Sequence, residues 1–348
     1  MTNTNAALID LYRKLRPLQI FPNTIAATNS LTVLTYNLLS QHHINSEVYP
    51  YCVSGVLRSA YRRTRLFAEL QAYAPVDIAA FQEVAQFDDV WRTEWQKDGT
   101  KRAVYAAKEG GRDGIAIVYD SHKFQLKHEE VLSFAPLMTS LEAVPNIAQI
   151  LILSSSTFNV IVSNTHLFWR PDFDCLRVLQ AHRLRKRIEE LKIEYPEYKD
   201  YLVIMCGDWN SDPKSAVYHL ITGQIDKITR SHWQDLINSH SGLLSHPLEH
   251  SQNLFNQVIE DFKRWPHLTS AYSLYQSPTD PAVTSEPPYT SINSYVDTLD
   301  YIFADFRKVA VGELLMMPTD EIVRGQTALP NEIYSSDHLA LLAKLNSI

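Results

Sequence analysis

The chain has 348 residues, a formal net charge of −7, 45% hydrophobic residues and 20% charged residues. This length can bury a large core, and the composition is that of a soluble globular protein rather than a disordered or fibrous one. The negative charge excludes nucleic-acid binding that relies on overall electrostatics alone, so any contact with a polyanion must be local.

Apolar, β-branched runs recur along the chain between polar or turn residues, and they predict buried strands. Apolar residues at three- and four-residue steps, with charged residues on the other face, predict helices at 57–73 and 174–194. The predicted strands are 31–36, 78–81, 115–119, 149–153, 159–164, 201–206 and 299–303.

The relation between neighbouring strands predicts an α/β fold. Strands 115–119 and 149–153 look like hairpin neighbours, whereas helices separate others, which indicates mixed sheets packed face to face and layered with helices. Residues 231–288 are rich in Ser, His and Pro, and 276–288 is the least foldable stretch. We therefore predict a surface insertion in this region.

No transmembrane segment or secretory signal is visible, so we expect an intracellular protein, cytoplasmic or nuclear. Residues 8–20 carry basic side chains among apolar ones, as a weak organelle-targeting helix would, but Asp10 and the short length make a mitochondrial location less favoured. The widely spaced Cys52, Cys175 and Cys206 predict neither disulfides nor a cysteine-based zinc site.

Polar side chains suited to metal or phosphate chemistry lie at or near the ends of several predicted strands. A sheet holds its strand ends rigidly while they face a cleft, so such residues form a pre-organised site. Carboxylate and amide oxygens with imidazoles, and no thiolate, suit Mg²⁺ or Mn²⁺ better than zinc and indicate phosphate chemistry. These residues are Asn37, Glu83, His166, Asp208, Asn210, Asp300, Asp337 and His338.

Each of these residues alone also fits a structural role. Glu83 would fit a solvated strand-end carboxylate, and His166 a hydrogen-bonded structural histidine. Asn37 would fit a turn cap, and Asp208 with Asn210 an Asx-turn. Several such sites in one chain favour the functional interpretation.

Short motifs along the chain have an order that resembles a known superfamily. They are Thr35-Tyr36-Asn37, Gln82-Glu83-Val84, Asp113-Gly114, Asn164-Thr165-His166, Gly207-Asp208-Trp209-Asn210-Ser211, Leu299-Asp300-Tyr301-Ile302 and Ser336-Asp337-His338. The order resembles the endonuclease/exonuclease/phosphatase superfamily, which includes deoxyribonuclease I. The resemblance implies a four-layer α/β sandwich, two packed mixed β-sheets flanked by helices, in a catalytic domain over 31–348 that follows an N-terminal extension at 1–30.

Narrower signatures are similar to one group of this superfamily. They are Tyr49-Pro50-Tyr51-Cys52, Tyr61-Arg62-Arg63, His166-Leu167-Phe168-Trp169-Arg170-Pro171, Ser270-Ala271-Tyr272 and Pro288-Tyr289-Thr290. The group comprises carbon-catabolite-repressor type deadenylases, nocturnin, the angel proteins and the mitochondrial 2′,5′-phosphodiesterase, and the short fungal-type RNA exonucleases look nearest.

The resemblance implies a role for each site residue. Glu83 is the expected principal Mg²⁺ ligand, with Asn37 and Asp337 near the same ion. Asp208 and Asn210 are expected to orient or deprotonate the attacking water or to bind a second metal ion, and Asn210 also offers a donor to a phosphate oxygen.

A second set of residues is expected to act on the phosphate. Asp300 and His338 resemble a couple in which the carboxylate fixes the tautomer and raises the basicity of the imidazole. His166 is expected to stabilise the transition state as a donor, with Asp113 as its orienting partner.

The resemblance also implies contacts to the base and the backbone of a substrate. Pro171 and Tyr289 are expected to flank an adenine-like ring, because an aromatic face suits stacking on an unpaired base. Arg170, with Arg112 and Lys108, would meet phosphates. A structural role is open for the first pair, since Pro171 would also end a strand and Tyr289 would also pack a loop.

These expectations describe a Mg²⁺- or Mn²⁺-dependent 3′-5′ exoribonuclease with one or two ions, which acts on adenine-rich single-stranded RNA and releases 5′-monophosphates. Two alternatives stay open: a 2′,5′-phosphodiesterase or nocturnin-like dinucleotide 2′-phosphatase, and a non-catalytic RNA-binding scaffold on the same fold. The first thirty residues contain no leucine-rich repeats, so docking to a deadenylase scaffold is not expected, and neither is membrane contact.

Overall fold

The computed structural model shows two large β-sheets packed face to face between layers of helices. It describes residues 2–21, 29–137, 145–228, 248–277, 280–324 and 328–348. The strands are β1 Leu18–Ile20, β2 Ser30–Asn37, β3 Ile78–Ala85, β4 Lys101–Ala107, β5 Asp113–Asp120, β6 Gln125–Ser133, β7 Ile147–Ser154, β8 Asn159–His166, β9 Leu202–Asp208, β10 Thr269–Ser270, β11 Gln276–Ser277, β12 Asp280–Thr284, β13 Ser291–Ile292, β14 Val296–Asp297, β15 Asp300–Ala304, β16 Val309–Leu315 and β17 Leu341–Ser347. The α-helices are α1 Thr2–Leu15, α2 Ser59–Tyr73, α3 Arg92–Gln96, α4 Asp174–Glu194, α5 Ala216–Ile221, α6 Leu248–Arg264 and α7 Asp320–Arg324.

The strand order places one parallel pair in the middle of each sheet. The first sheet runs β1-β16-β17-β2-β3-β5-β4, and the second runs β10-β15-β9-β8-β7-β6. The pairs β2 with β3 and β8 with β9 are parallel, and their neighbours in the sheets are antiparallel. Because parallel neighbours need a crossover connection, helices α2 and α4 lie between the members of these two pairs in sequence.

Apolar layers hold the sandwich together. Side chains of both sheets, such as Val33 of β2 and Val162 of β8, share one core. A second core joins the outer face of the second sheet to α4, α5 and α6, for example through Leu184 and Phe255. The predicted four-layer α/β sandwich with two mixed sheets is confirmed.

The predicted strands and helices are present, but the pairing of two strands differs from the prediction. Strand β5 lies between β3 and β4 in the first sheet, whereas β7 pairs with β6 and β8 in the second. The hairpin predicted for 115–119 and 149–153 is therefore wrong. The true partner, β6, is an edge strand that exposes alternate side chains, so its sequence lacks the continuous apolar run of a buried strand.

The predicted N-terminal extension and the predicted insertion both contain regular secondary structure. At the N-terminus, α1 buries Tyr12, and β1 adds an edge strand to the first sheet. Residues 231–247 and 278–279 of the predicted insertion lie outside the described residues. Between these two segments, α6 buries Phe255, Val258 and Phe262 against the helix layer of the second sheet. Within the described part of the chain, no helix has both the length and the hydropathy needed to cross a bilayer.

Two buried amides tie the sheets together beneath one edge of the sandwich. Gln82 Nε2 donates to Thr35 Oγ1 (3.1 Å) and to Asn164 Oδ1 (2.8 Å). Asn164 Nδ2 donates to the carbonyl oxygens of Phe81 (2.9 Å) and Ala116 (3.0 Å). Because a buried amide is destabilising without partners, these bonds fix how the second sheet sits on the first.

A buried carboxyl in α2 makes stability depend on pH. Glu69 accepts hydrogen bonds from the hydroxyls of Tyr36 (2.9 Å) and Tyr73 (3.0 Å). Burial raises the pKa of Glu69 from 4.5 to about 7, although Arg16 and the two tyrosines lower it. A group with a raised pKa stabilises the fold fully below its unfolded pKa, and this stabilisation is lost as pH rises through the folded pKa.

We expect Glu69→Gln to remove this dependence. Between pH 4.5 and about pH 7, the wild type should lose on the order of 3 kcal/mol of unfolding free energy relative to the variant. Urea unfolding at a series of pH values measures the difference. Glu47→Gln, at an exposed position, should follow the wild-type profile, and parallel profiles for Glu69→Gln and the wild type would contradict the prediction.

Candidate active site

Several of the sequence-predicted residues meet where central strands end at one edge of the sandwich. Strand β2 ends at Asn37, β8 ends at His166 and β9 ends at Asp208. His166 and Asp208 are partners in the parallel ladder, and Asp300 at the start of β15 is opposite Asp208 in the antiparallel one. Residues far apart in sequence are thus brought together by the register of the strands.

A glycine brings β9 close to β8 just before Asp208. Gly207 has a φ of +143°, and a Cβ there would lie 2.1 Å from the carbonyl oxygen of Thr165. Only glycine fits such a backbone conformation and such an approach. The Gly207-Asp208 step therefore sets the position of the Asp208 carboxylate.

Asp208 lies buried at the centre of the cluster. Its Oδ2 accepts a hydrogen bond from Asn37 Nδ2 (3.0 Å) and lies 3.6 Å from Nε2 of both His166 and His338. Its Oδ1 accepts from the backbone N–H of Asn210 (3.0 Å). Burial is the largest influence on the pKa of Asp208 and raises it. This carboxylate is a stronger base than an exposed aspartate, as general-base catalysis near neutral pH requires.

His338 and Asp300 form the predicted carboxylate–imidazole pair. His338 Nδ1 lies 2.8 Å from Asp300 Oδ2, which also accepts from Thr290 Oγ1 (2.6 Å). Burial lowers the pKa of His338, but the negative charges of Asp300 and Asp208 outweigh burial and raise it well above its ordinary value. His338 is therefore a cation at neutral pH, and its Nε2–H faces Asp208.

His166 has the opposite charge state. Burial and the nearby Lys108 ammonium lower the pKa of His166 well below its ordinary value, so the ring is neutral. Lys108 Nζ lies 3.5 Å from His166 Nδ1. Because an ammonium only donates, Nδ1 is the acceptor and Nε2 carries the hydrogen that faces Asp208. The two histidines thus present N–H groups to the same carboxylate, one from a cation and one from a neutral ring.

Glu83 lies in a β-bulge of β3. The register between β3 and β5 shifts between Phe81 and Val84, and Glu83 has a φ of +55°, which non-glycine residues rarely adopt. Its Oε1 accepts from Asn37 Nδ2 (3.0 Å), and its Oε2 accepts from the backbone N–H of Ser40 (2.8 Å). Strain of this kind persists where the surroundings enforce it, and here it aims the carboxylate at Asn37 and the cleft.

Asn37 joins the two sides of the site. Its Nδ2 donates to Glu83 and to Asp208, and its Oδ1 accepts from the backbone N–H of Leu39 (3.0 Å). The sequence resemblance implied that Asn37 lies near a metal ion. Asn37 lies beside Glu83, the expected principal ligand, and its amide N–H₂ positions the two carboxylates and offsets their repulsion.

Asp113 contacts groups other than the predicted partner. Its Oδ2 lies 2.9 Å from His43 Nε2, and its Oδ1 lies 3.2 Å from Lys108 Nζ. Lys108 stands between Asp113 and His166, so the predicted direct orientation of His166 by Asp113 is replaced by an indirect one. Burial raises the pKa of Asp113, but the bond to His43 and the charge of Lys108 bring it down to about 2.

His43 was missed by the sequence analysis. It follows Ser40 in a short turn, Gln41–His43, and its Nε2 is 4.0 Å from Glu83 Oε2. Nothing in the local sequence indicates that His43 belongs to the cluster, because Glu83 and Asp113, which it contacts, lie on strands distant in sequence.

Asn210 and Asp337 occupy the rim of the cluster. Asn210 has a φ of +46°, and its Nδ2 donates to the carbonyl oxygen of Leu167 (3.0 Å). Asp337 Oδ2 accepts from the Tyr49 hydroxyl (2.9 Å) and from Asn293 Nδ2 (2.9 Å). Asp337 Oδ2 therefore fixes two loops beside His338.

The two residues predicted to bind the base, Pro171 and Tyr289, differ in solvent exposure. Pro171 is exposed, but Tyr289 is only 2% exposed, its hydroxyl donates to Asp320 (2.5 Å), and the Arg324 guanidinium lies 5.4 Å from its ring centre. A ring covered in this way cannot stack on a base, so Tyr289 is a packing residue. Arg170 lies 3.2 Å from Asp172 and over the ring of Phe173 (4.6 Å), at the surface of the loop.

Tyr295 is the aromatic side chain of the same region that faces solvent. It lies in the β13–β14 hairpin and is 49% exposed. The hairpin is fixed to the site, because Ser291 bridges to His338 and Asn293 donates to Asp337. The sequence analysis selected Tyr289, which precedes the hairpin, because the sequence does not show which ring is buried.

The donor set fits a divalent cation. Two groups of three side chains in the described part of the chain have ligand atoms within 4.8 Å of one another: His43, Glu83 and Asp113, and Asp208, Asp300 and His338. In the first group Asp113 is already engaged by Lys108 and His43, which leaves Glu83 as the carboxylate best placed to hold an ion. Buried Asp300 Oδ1 and Asp337 Oδ1 also make no hydrogen bond to any described group. Hard oxygens of this kind suit Mg²⁺ or Mn²⁺.

The chain is similar to known proteins in sequence and in fold. Curated relatives include carbon catabolite repressor protein 4 homolog 1 of Arabidopsis thaliana, 28% identical over 90% of this chain and 57% of the relative. They also include 2′,5′-phosphodiesterase 12 of Mus musculus, 27% identical over 94% of this chain and 53% of the relative. The chain thus spans about half the length of these relatives.

Solved structures and a family match agree on the fold. A crystal structure of ANGEL2, a 2′,3′-cyclic phosphatase, in complex with adenosine-2′,3′-vanadate has a TM-score of 0.72 and 24% identity, and covers 95% of this chain and 98% of that one. The human nocturnin catalytic domain with bound sulfate has a TM-score of 0.65 and 21% identity, and covers 97% and 98%. The predicted resemblance to the repressor, nocturnin and angel group is confirmed. The match to the Endonuclease/Exonuclease/phosphatase family covers residues 34–338, and the chain belongs to this family.

Proposed function

We propose that this protein is a divalent-metal-dependent 3′-5′ exoribonuclease, which hydrolyses single-stranded RNA with an adenine-rich 3′ end to 5′-monophosphates. The proposal depends on the contacts of Asp208. Its carboxylate faces the N–H groups of two histidines, and Asn37 links it to Glu83 by hydrogen bonds. This places a base, two donors and a metal-binding carboxylate around one point, as hydrolysis of a phosphodiester by water requires.

The chain divides the reaction among its residues. Glu83 would hold the cation, and a Mg²⁺ or Mn²⁺ ion there would neutralise the phosphate charge. Asp208 takes the proton of the attacking water, because burial has raised its pKa toward neutrality. His338, kept cationic by Asp300, and His166, kept neutral beside Lys108, donate to the phosphate oxygens.

Contact with the base is assigned to Tyr295 instead of Tyr289. Tyr295→Ala is expected to raise the KM for oligo(A) about 5- to 100-fold with a smaller change in kcat, because stacking on one base contributes roughly 1–3 kcal/mol. Tyr295→Phe should stay near the wild type. Tyr195→Ala removes a ring that is 39% exposed at the far end of α4 and serves as the control; an equal effect of both alanine variants would contradict the assignment.

A second candidate function is hydrolysis of a phosphate at a ribose 2′ position. It is favoured by the relative named 2′,5′-phosphodiesterase 12 and by the structural similarity to ANGEL2, which is described as a 2′,3′-cyclic phosphatase. The same cluster fits both reactions, because the chemistry at phosphorus is shared and the placement of the ribose decides between them.

One experiment separates these functions. Purified protein is given 5′-labelled oligo(A), oligo(U), 2′,5′-linked oligoadenylate, RNA ending in a 2′,3′-cyclic phosphate, and NADP in parallel, each with Mg²⁺ and with EDTA. Stepwise shortening of oligo(A) with release of AMP, abolished by EDTA, is expected. Release of inorganic phosphate from NADP, or opening of the cyclic phosphate, without shortening of the RNA would overturn the exoribonuclease proposal.

A further inference from the structure

Trp169 is a large ring that the fold does not use. It is 67% exposed, and among the described residues its one ring contact is with the adjacent Phe168, at 6.5 Å and a tilt of 37°. Single exposed apolar side chains are common, so the exposure alone indicates nothing. The significance of Trp169 comes from the loop that carries it and from where this loop lies.

The loop after β8 is held in one conformation by buried side chains of α4. The guanidinium of Arg177, whose side chain is 3% exposed, donates to the carbonyl oxygens of Phe168 (3.2 Å), Arg170 and Pro171 (2.9 Å). Gln180 Oε1 accepts from the backbone N–H of Phe168 (3.0 Å). A buried guanidinium needs all of these acceptors, so the loop conformation is fixed together with the fold.

Two phenylalanines anchor the base of the loop while Trp169 stays outside. Phe168 packs edge-on against Phe173 at 5.1 Å, and the Arg170 guanidinium covers the other side of Phe173 at 4.6 Å. Trp169 is thus presented to solvent by a rigid support. A ring held in this way stacks on a ligand with little loss of conformational entropy.

The position of Trp169 relates it to the catalytic cluster. It follows His166 by three residues, so the two Cα atoms are at most about 11 Å apart. Tyr295 lies in the hairpin that bridges to His338 and is also exposed. The segments that carry the two exposed rings are thus connected to His166 and His338, the two histidines that face Asp208.

We propose that Trp169 is a nucleobase-stacking residue, which holds the base next to the one held by Tyr295. The inference rests on the proposed function and extends it from the terminal nucleotide to its neighbour. A base is the occupant that fits, because Trp169 is one rigid ring flanked by polar or exposed residues, Arg170, Pro171 and Asp172, and not part of a broad apolar patch.

Binding in EDTA tests the proposal without turnover. Affinity for a short oligo(A) is compared with affinity for the same oligonucleotide carrying one abasic residue, either at the 3′ end or next to it. Trp169→Leu is expected to weaken binding of oligo(A) about 5- to 100-fold, and Trp169→Phe much less, because phenylalanine keeps an aromatic face. Binding should also quench tryptophan fluorescence in the wild type and less so in Trp169→Phe.

The abasic oligonucleotides identify the partner base. At one of the two abasic positions, loss of the base should weaken binding by the wild type as much as Trp169→Leu weakens binding of intact oligo(A). Binding by Trp169→Leu should not weaken further when the base at this position is missing. Tyr295→Ala should show this behaviour at the other position. Ile193→Ala, 78% exposed near the far end of α4, is the matched control and should bind like the wild type.

Three outcomes would overturn the proposal: unchanged affinity of Trp169→Leu, the same loss at both abasic positions, or no measurable binding of oligo(A) by the wild type. Failure of the proposed function has a different signature, namely no product from oligo(A) when Mg²⁺ is added. This outcome leaves the comparison of affinities in EDTA intact.

Discussion

Replacing Glu83 by glutamine is expected to lower kcat/KM for oligo(A) by about a thousand-fold or more at fixed Mg²⁺. The carboxylate is the assigned cation ligand, and glutamine offers one neutral oxygen in its place. The amide keeps an acceptor for either Asn37 or Ser40 but not for both, since Glu83 accepts from each. Steady-state kinetics together with calorimetric titration of Mn²⁺ measure the loss of rate and the loss of affinity for the ion in the same variant.

The control for this variant is Glu47→Gln, which removes a carboxylate from an exposed position of the loop after β2. It should leave both rate and Mn²⁺ affinity unchanged. If Glu83→Gln retained both wild-type turnover of RNA and wild-type Mn²⁺ affinity in a clean preparation, the assigned metal site would be wrong. If Mn²⁺ affinity fell while the rate did not, the ion would bind at Glu83 without acting in the reaction.

Seven strands, among them the parallel pairs β2–β3 and β8–β9, could be predicted from sequence, because one local pattern encodes both a strand and the residue that ends it. A β-branched run predicts a buried strand, and the polar residue that ends it predicts a side chain at the sheet edge, as for Asn37, His166 and Asp208. This pattern does not detect edge strands. Strand β6 alternates polar and apolar residues with exposure on one face, so no apolar run marks it.

The contacts around Lys108 and His43 could not be predicted because long-range register creates them. Lys108 meets His166 across 58 positions of sequence, and His43 meets Asp113 across 70. Neither contact can be inferred from the order of the family motifs along the chain. The burial of Tyr289 could not be predicted for another reason, since only the packing of Arg324 and Asp320 reveals that this ring is covered.

Replacing Asp208 by asparagine is expected to lower kcat for oligo(A) by about a thousand-fold or more, with a smaller effect on KM. Asparagine has the size of aspartate but cannot take a proton. It also brings an amide N–H₂ toward Asn37, His166 and His338, all of which direct N–H groups at this position. Single-turnover kinetics with end-labelled oligo(A) isolate the chemical step from product release.

A cycle with His338→Gln tests whether the two residues act in the same step. His338 Nε2 lies 3.6 Å from Asp208 Oδ2, and each influences the pKa of the other. If both act on one transition state, removing either disables the step, and the double variant should be at most about tenfold slower than the slower single variant. Losses that multiply across the two substitutions would show that Asp208 and His338 act independently. In that case the shared surroundings of Asp208 would no longer support a single hydrolytic centre, because two groups within contact distance would be acting on separate events.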